Sequence, residues 1–303
     1  MNRLMMGAAT AAFALMAGAA FAQAPAAAPA GAPPPQAPLQ IKQVKPGVYM
    51  VVGNGGNSTV VVGTTGVVLV DTKNPGEKIY DELNDKIKSV TPLPVKEVLI
   101  THHHADHSGN TLLFLNHGVP VVGHQGELEA LQSYVSTANP RPTAPSITYN
   151  DALTIHAGGV TAEAHHWGAG HTVGDTVVYF PAQKIVSGGD EVVAVTPNVD
   201  YPFGGSVSGW LKSLDGIAKL DFDYVIPGHG NDPLTKADVQ EFQKKIDLIG
   251  KKAIELRKKG VAKDMIRAQI QAEVPEMAPW MMTGLVNDMR LDAFYDELTA
   301  AAK

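Results

Sequence analysis

The chain has 303 residues and no cysteine, which rules out disulfides, thiolate metal sites and cysteine nucleophiles, so any metal must be held by nitrogen and oxygen. The formal net charge is -6, with acidic and basic residues interspersed and no basic block long enough to follow a phosphate backbone. Nucleic acid is therefore not an expected partner.

Met1-Asn2-Arg3 gives a short positive start, Leu4 to Ala19 is apolar, and Ala20-Phe21-Ala22 fits the small-x-small pattern of a signal peptidase site. Residues 1–22 are thus expected to be a signal peptide, which places the mature chain in the periplasm or outside the cell with no stable membrane insertion after cleavage. The competing reading is an uncleaved anchor, since the stretch nearly reaches membrane-spanning length. Gly7, Thr10 and the many alanines argue against it. Residues 23–40 form an alanine- and proline-rich linker with too little hydrophobic variety to pack, and residues 41–303 form the folded domain with a helical C-terminal tail.

Within that domain the β-branched runs Val48 to Val52, Ser58 to Val62 and Val67 to Val70 predict an antiparallel meander that ends at Asp71. Ile79, Leu83 and Ile87, four apart, predict a helix over 77–90, and Val95 to Ile100 returns to strand. A helix over 107–116, with Leu112, Leu113 and Leu115 inward, precedes a strand over 119–122 and a helix over 125–135. A proline-rich loop covers 139–145. Further strands are expected over 153–156, 161–165, 176–180, 184–187 and 224–226, with a helix over 207–220 and a mostly helical tail from Thr235, in which Met281 and Met282 are core filler. Half of this pattern is strand-helix-strand and half is meander. The economical architecture is α/β: two mixed sheets face to face with helices outside.

Chemistry concentrates in Thr101-His102-His103-His104-Ala105-Asp106-His107, directly after the apolar run 95–100. Residues two apart at a strand end face the same way, so His102 and His104 can share one metal while His103 points elsewhere. Asp106 and His107, beyond the turn, can reach a second position. Three glycine-flanked turns each offer one more donor beside an apolar strand: His171, Asp190 and His229. Taken singly, each is an ordinary turn residue. The recurrence of donors at strand ends makes one shared centre the common cause. The other histidines, His117, His124, His156, His165 and His166 among them, read as surface or ligand-supporting residues.

This set resembles the metallo-β-lactamase-fold hydrolase superfamily, whose signature H-x-H-x-D-H is matched by His102, His104, Asp106 and His107, the later histidine by His171, the bridging aspartate by Asp190 and the final histidine by His229. Asp71 matches the early aspartate that supports the metal loop. The resemblance implies a four-layer αββα sandwich and two Zn²⁺, one held by His102, His104 and His171, the other by Asp106, His107 and His229, with Asp190 bridging; iron or manganese stays open. It also implies a water ionised at neutral pH and oriented by Asp106, so that Asp106 and Asp190 are the catalytic carboxylates. Two dications less two aspartates and a hydroxide leave a nominal charge of about +1, which favours a small anionic substrate. Trp167, Tyr201 and Phe203 are candidate pocket walls, and the Asn54-Gly55-Gly56-Asn57 turn a candidate flap over the metals.

The β-lactamases of the commonest subclass carry cysteine at the Asp190 position and lysine three residues later, where this chain has Val193. The aspartate bridge is similar instead to thioesterase and lactonase members. The expected activity is therefore that of an exported zinc hydrolase cleaving an ester, thioester, lactone or β-lactam, with a β-lactamase proper as one alternative. A second alternative is a mononuclear iron enzyme oxidising persulfides, on a two-histidine, one-carboxylate site. A full second donor set favours two metals and hydrolysis. The sequence leaves the oligomeric state open.

Overall fold

The computed structural model describes residues 38–134 and 140–274, together with 293, 294, 296 and 297. The signal segment, most of the linker, and Met281 and Met282 lie outside the described residues.

Strands β1 (Gln40–Lys45), β2 (Val48–Val52), β3 (Ser58–Val62) and β4 (Val67–Val70) pair antiparallel in chain order. Helix α1 (Glu77–Lys88) then crosses over, and β5 (Val95–Leu99) joins parallel to β4. Two short helices, α2 (Ala105–Ser108) and α3 (Thr111–Asn116), lead to β6 (Val121–His124), α4 (Gln125–Gln132) and β7 (Ile147–Tyr149), which complete a seven-stranded sheet. A second sheet repeats the scheme. Its strands β8 (Ala152–Ala157), β9 (Val160–His165), β10 (Val177–Phe180) and β11 (Ile185–Gly189) form a meander; α5 (Val207–Ala218) crosses over to β12 (Tyr224–Pro227), which is parallel to β11, and β13 (Leu234–Thr235) closes the edge. Helices α6 (Lys236–Lys258) and α7 (Ile266–Glu273) follow. None of the helices among the described residues is long and apolar enough to cross a membrane.

Strand periodicity explains the layers. Val68, Val70, Leu99 and Val122 of the first sheet meet Val178, Phe180, Ile185 and Ile226 of the second in the interior between them. Their alternates Val67, Leu69, Val98 and Val121 turn outward, onto Leu83 and Ile87 of α1 and Phe114 of α3. Likewise Val177, Val186 and Val225 turn onto Trp210 and Leu214 of α5 and Phe242 and Ile246 of α6. Both faces of the central strands are therefore apolar and covered, which is why those strands read as continuous valine-rich runs, whereas the edge strands β1 and β8 keep an exposed, more polar side. The result is the expected αββα sandwich.

The expected helix over 107–116 is broken. Asn110 has φ -106° and ψ 17°, and its side chain donates to the carbonyls of Thr72 (2.7 Å) and Asn74 (2.8 Å) while accepting from Gly76 N (2.9 Å). Spent on these cross-links, it cannot continue a helix, and the break resets the helical phase. Leu112, expected inward, is 50% exposed, and Phe114 takes the buried position. Three strands were not foreseen, β1, β7 and β13; each lies at a sheet edge and is short or polar, where periodicity gives little signal.

Candidate metal centre

Parallel strands leave their C-terminal ends on one side of each sheet, and the donors hang from those ends. His102, His104, Asp106 and His107 follow β5; His171 precedes β10; Asp190 follows β11; His229 follows β12. Asp71, just past β4 at φ 64°, ties the first of these segments in place. Its Oδ1 accepts from Thr101 N, and its Oδ2 accepts from Thr101 Oγ1 and lies beside His107 Nδ1, each at 2.8 Å. Such a positive φ is uncommon for a non-glycine residue and persists because buried bonds over-determine it.

The seven donors come together as three overlapping groups: His102, His104 and His171; His102, His107 and Asp190; and Asp106, His107 and His229, with the ligand atoms of each group within 4.8 Å of one another. His171 Nε2 is 3.0 Å from His104 Nδ1, and His229 Nε2 is 3.3 Å from both His107 Nε2 and Asp106 Oδ2. Asp190 Oδ2 is 3.5 Å from His171 Nε2 and 3.4 Å from His229 Nε2, so one carboxylate oxygen touches both clusters. Ligands about 2.0–2.1 Å from a tetrahedral ion lie about 3.4 Å apart along each edge. The spacings given above, 3.0 to 3.5 Å, lie near that value.

The far side of each ring is also accounted for. His104 Nε2 is 2.8 Å from Asp200 Oδ2, His171 Nδ1 is 2.5 Å from Asn198 O, and His107 Nδ1 faces Asp71. These oxygens hold each imidazole with its other nitrogen aimed inward. His102 Nδ1 meets Thr101 Oγ1 at 3.1 Å, and its inward Nε2 is buried with no hydrogen-bond partner. A fully buried, orphaned nitrogen in a ring of nitrogens and carboxylates fits a divalent cation.

Charge tells the same story. Burial holds the His102 ring well below its ordinary pKa, helped by the neighbouring imidazoles, so it is neutral and ready to ligate. For His107, burial opposes protonation, but Asp190, Asp106 and Asp71 outweigh it and raise the pKa well above the usual value. His229, against the same opposition from burial, is pushed up to about 9 by its bonds to Asp106 and Asp190. The carboxylates around these two rings thus favour positive charge at this place, a demand that a divalent cation would meet.

The site opens into a cleft of about 380 Å³ whose lining includes His104, Asp106, Asp190, Val193 and Val195. The expected pocket aromatics lie elsewhere. Trp167 stacks on His165 at 4.7 Å and packs against the core outside the second sheet. Tyr201 donates its hydroxyl to Glu297 at 3.0 Å. Phe203 lies 4.6 Å from His103, whose fully buried ring packs 4.7 Å from that of His104, belongs to none of the donor groups and has neither nitrogen bonded. The turn 54–57 is tied down rather than flap-like. Gly56 N donates to Asp106 O (3.0 Å), Asn57 N to Gly228 O (2.7 Å), and the buried Lys73 ammonium to the carbonyls of Gly56 (2.7 Å) and Val51 (2.6 Å).

Sequence reasoning missed Asp200, Asn198 and Thr101 as the groups that orient ligands. Thr101 follows its strand directly and could have been foreseen as the partner of Asp71. Asp200 and Asn198 sit in irregular chain after Asp190, with no period to mark them. Trp210 was also missed: it donates Nε1–H to Glu191 O at 2.7 Å, fixing the loop after Asp190 to α5.

Three comparisons bear on this geometry. A family model described as the metallo-beta-lactamase superfamily matches residues 51–229. Metallo-beta-lactamase IND-1 of Chryseobacterium indologenes is 32% identical over 180 residues, 57% of this chain and 71% of that protein. Among solved structures, a metallo-beta-lactamase from Pontibacter korlensis superposes with a TM-score of 0.57 at 25% identity, covering 69% of this chain and 99% of the other. A sec-alkylsulfatase from Pseudomonas sp. reaches 0.67 at 20% identity over 85% of this chain and 50% of its own, a likeness of fold. With the matched segment spanning every donor from His102 to His229, this chain belongs to the metallo-beta-lactamase superfamily.

Proposed function

We propose that the protein is an exported di-zinc hydrolase that cleaves an ester, thioester, lactone or β-lactam bond of a small molecule. The family supports a metal-dependent hydrolase. The observation that carries the finer reading is Asp190, one oxygen of which lies 3.4–3.5 Å from a histidine of each cluster, as a shared ligand between two ions requires. His102, His104 and His171 would hold one Zn²⁺, and Asp106, His107 and His229 the other. When bound, the pair supplies Lewis acidity and lowers the pKa of water to about 7.

The chain's own residues supply orientation. Asp106, a third exposed toward the cleft, accepts a hydrogen bond from the attacking water and fixes its direction toward the acyl carbon. Asp200, Asn198 and Asp71 hold the imidazoles rigid, so little reorganisation accompanies the change in charge at the carbonyl oxygen. Export rests on the N-terminal sequence pattern.

A β-lactamase is the second reading, favoured by the names of the relatives IND-1 and the Pontibacter korlensis enzyme. Turnover of a lactone, a thioester and nitrocefin by the purified full chain, with metal analysis, tests both. The expected result is two zinc ions per chain and chelator-sensitive hydrolysis of the lactone or thioester. Turnover of nitrocefin alone selects the β-lactamase. One iron per chain with oxygen uptake on a persulfide overturns the hydrolase.

A further inference from the structure

Apart from the metal donors, the cleft is lined by Val193, Val195, Thr196 and Asn198. Two of the four are apolar and the other two are uncharged. Val195 is 47% exposed, one of few large apolar side chains among the described residues left open to water. An apolar side chain held at the mouth of a site is a contact surface for apolar substrate.

Cations are scarce well beyond the lining. From Glu97 to Leu211, the stretch that carries six of the seven donors, the sequence holds two, Arg141 and Lys184. Lys184 precedes β11, at the end opposite Asp190, and pairs with Asp221 at 2.8 Å. Arg141 is exposed on the segment leading to β7 and is not part of the lining. Lys42 donates to Asn231 O, two residues past His229, and to Asp232. Lys73 is fully buried on the carbonyls of Val51 and Gly56. Among the described residues, no ammonium or guanidinium lines the cleft.

We infer that the substrate presents an uncharged, apolar group beside its scissile carbonyl, seated on Val195, and that the site selects neutral esters and lactones over carboxylated ones. The inference rests on the hydrolase reading above and narrows its substrate class. A carboxylate placed against this wall would lose water without gaining a counter-charge from the protein, and would share the cleft with the Asp106 and Asp190 side chains. An alkyl group there loses only unfavourable hydration. The anionic substrate expected from the sequence followed from the charge of the ions alone; the lining adds no second cation to hold a carboxylate.

The test uses the full metal-loaded chain and two γ-lactones of equal chain length, one ending in methyl and one in carboxylate. The kcat/KM for the methyl-ended lactone is expected to be at least about tenfold higher, and Val195→Lys, at an exposed position, to shrink that ratio at least about threefold with the thermal midpoint unchanged. Equal or faster turnover of the carboxylate-ended lactone overturns the inference and leaves the hydrolase intact. The matching cyclopentanones, which cannot be hydrolysed, are titrated in parallel. If neither lactone reacts but the methyl-ended ketone still binds at least about tenfold more tightly, lactones drop out of the hydrolase reading, which then rests on the thioester and nitrocefin assays, and the apolar wall stands. Absent or reversed preference in that titration overturns the wall as well.

Discussion

Asp200 Oδ2 and His104 Nε2 are 2.8 Å apart, on the side of the imidazole opposite the Nδ1 that faces His171. The carboxylate thereby fixes both the tautomer and the rotation of the ring. Asp200→Ala is expected to weaken ion binding by the His102–His104–His171 group about 10- to 100-fold. Asp200→Asn, whose amide oxygen still accepts from Nε2, should recover most of it. Competition with a chromophoric chelator measures both, and an alanine variant of undiminished affinity would show that the contact is incidental.

Gly56 packs so closely on His107 that a Cβ there would lie 2.2 Å from the ring carbon Cε1. Gly56→Ala must displace the ring, since Lys73, Asp106 and Gly228 hold this turn on its other sides. The expected outcome is a protein that binds one ion at the His102–His104–His171 group and loses at least about tenfold in affinity at the Asp106–His107–His229 group. Metal content after dialysis distinguishes this from a general loss of structure, in which both ions go together.

Ion binding should tighten as pH rises. A protonated imidazole cannot ligate, so an ion entering the centre must displace the protons that Asp106 and Asp190 hold on His107 and His229. The competition eases toward about 9, the value to which His229 is pushed in the ion-free protein. Dissociation constants across pH 6–9, with proton release read from calorimetry in two buffers, check the sign. A pH-independent affinity contradicts it.

Glu127, in α4, is fully buried with neither carboxyl oxygen bonded, and one oxygen occupies the space where a Cβ on Gly123 would sit. Burial, with Asp71 adding to it, raises its pKa well above the ordinary value. The folded state therefore holds a proton that the unfolded chain gives up above its own lower pKa, so stability falls as pH climbs through that window. Glu127→Gln removes the dependence and should stabilise the protein at pH 7–8 by on the order of 1–3 kcal/mol. Thermal midpoints of both proteins at pH 5 and pH 8 should diverge only at the higher value.

The donors could be read from the sequence because each combines a ligating side chain with a glycine turn at the end of a valine-rich strand. Both signals are local. The pairing of strands then followed from the same runs, since a strand buried on both faces has no polar alternation to confuse it. Leu112 was misplaced because its phase depends on where the helix begins, and that is decided by Asn110 bonding to residues 36 and 38 positions away. Asp200 and Val195 escaped notice for a related reason. Their neighbours are set by the path of an irregular segment, and no spacing rule connects position 200 to position 104.

Four donors follow a strand of the first sheet and three belong to the second, so any ion that fills the centre clasps the two halves of the sandwich at their open rim. In a chain without cysteine, no covalent staple can take the place of that clasp. Its strength depends on free ion concentration, because a ligand that binds only the native state stabilises it by mass action. The supply of metal in its surroundings would thus govern how long the fold lasts, and not merely whether it turns over substrate.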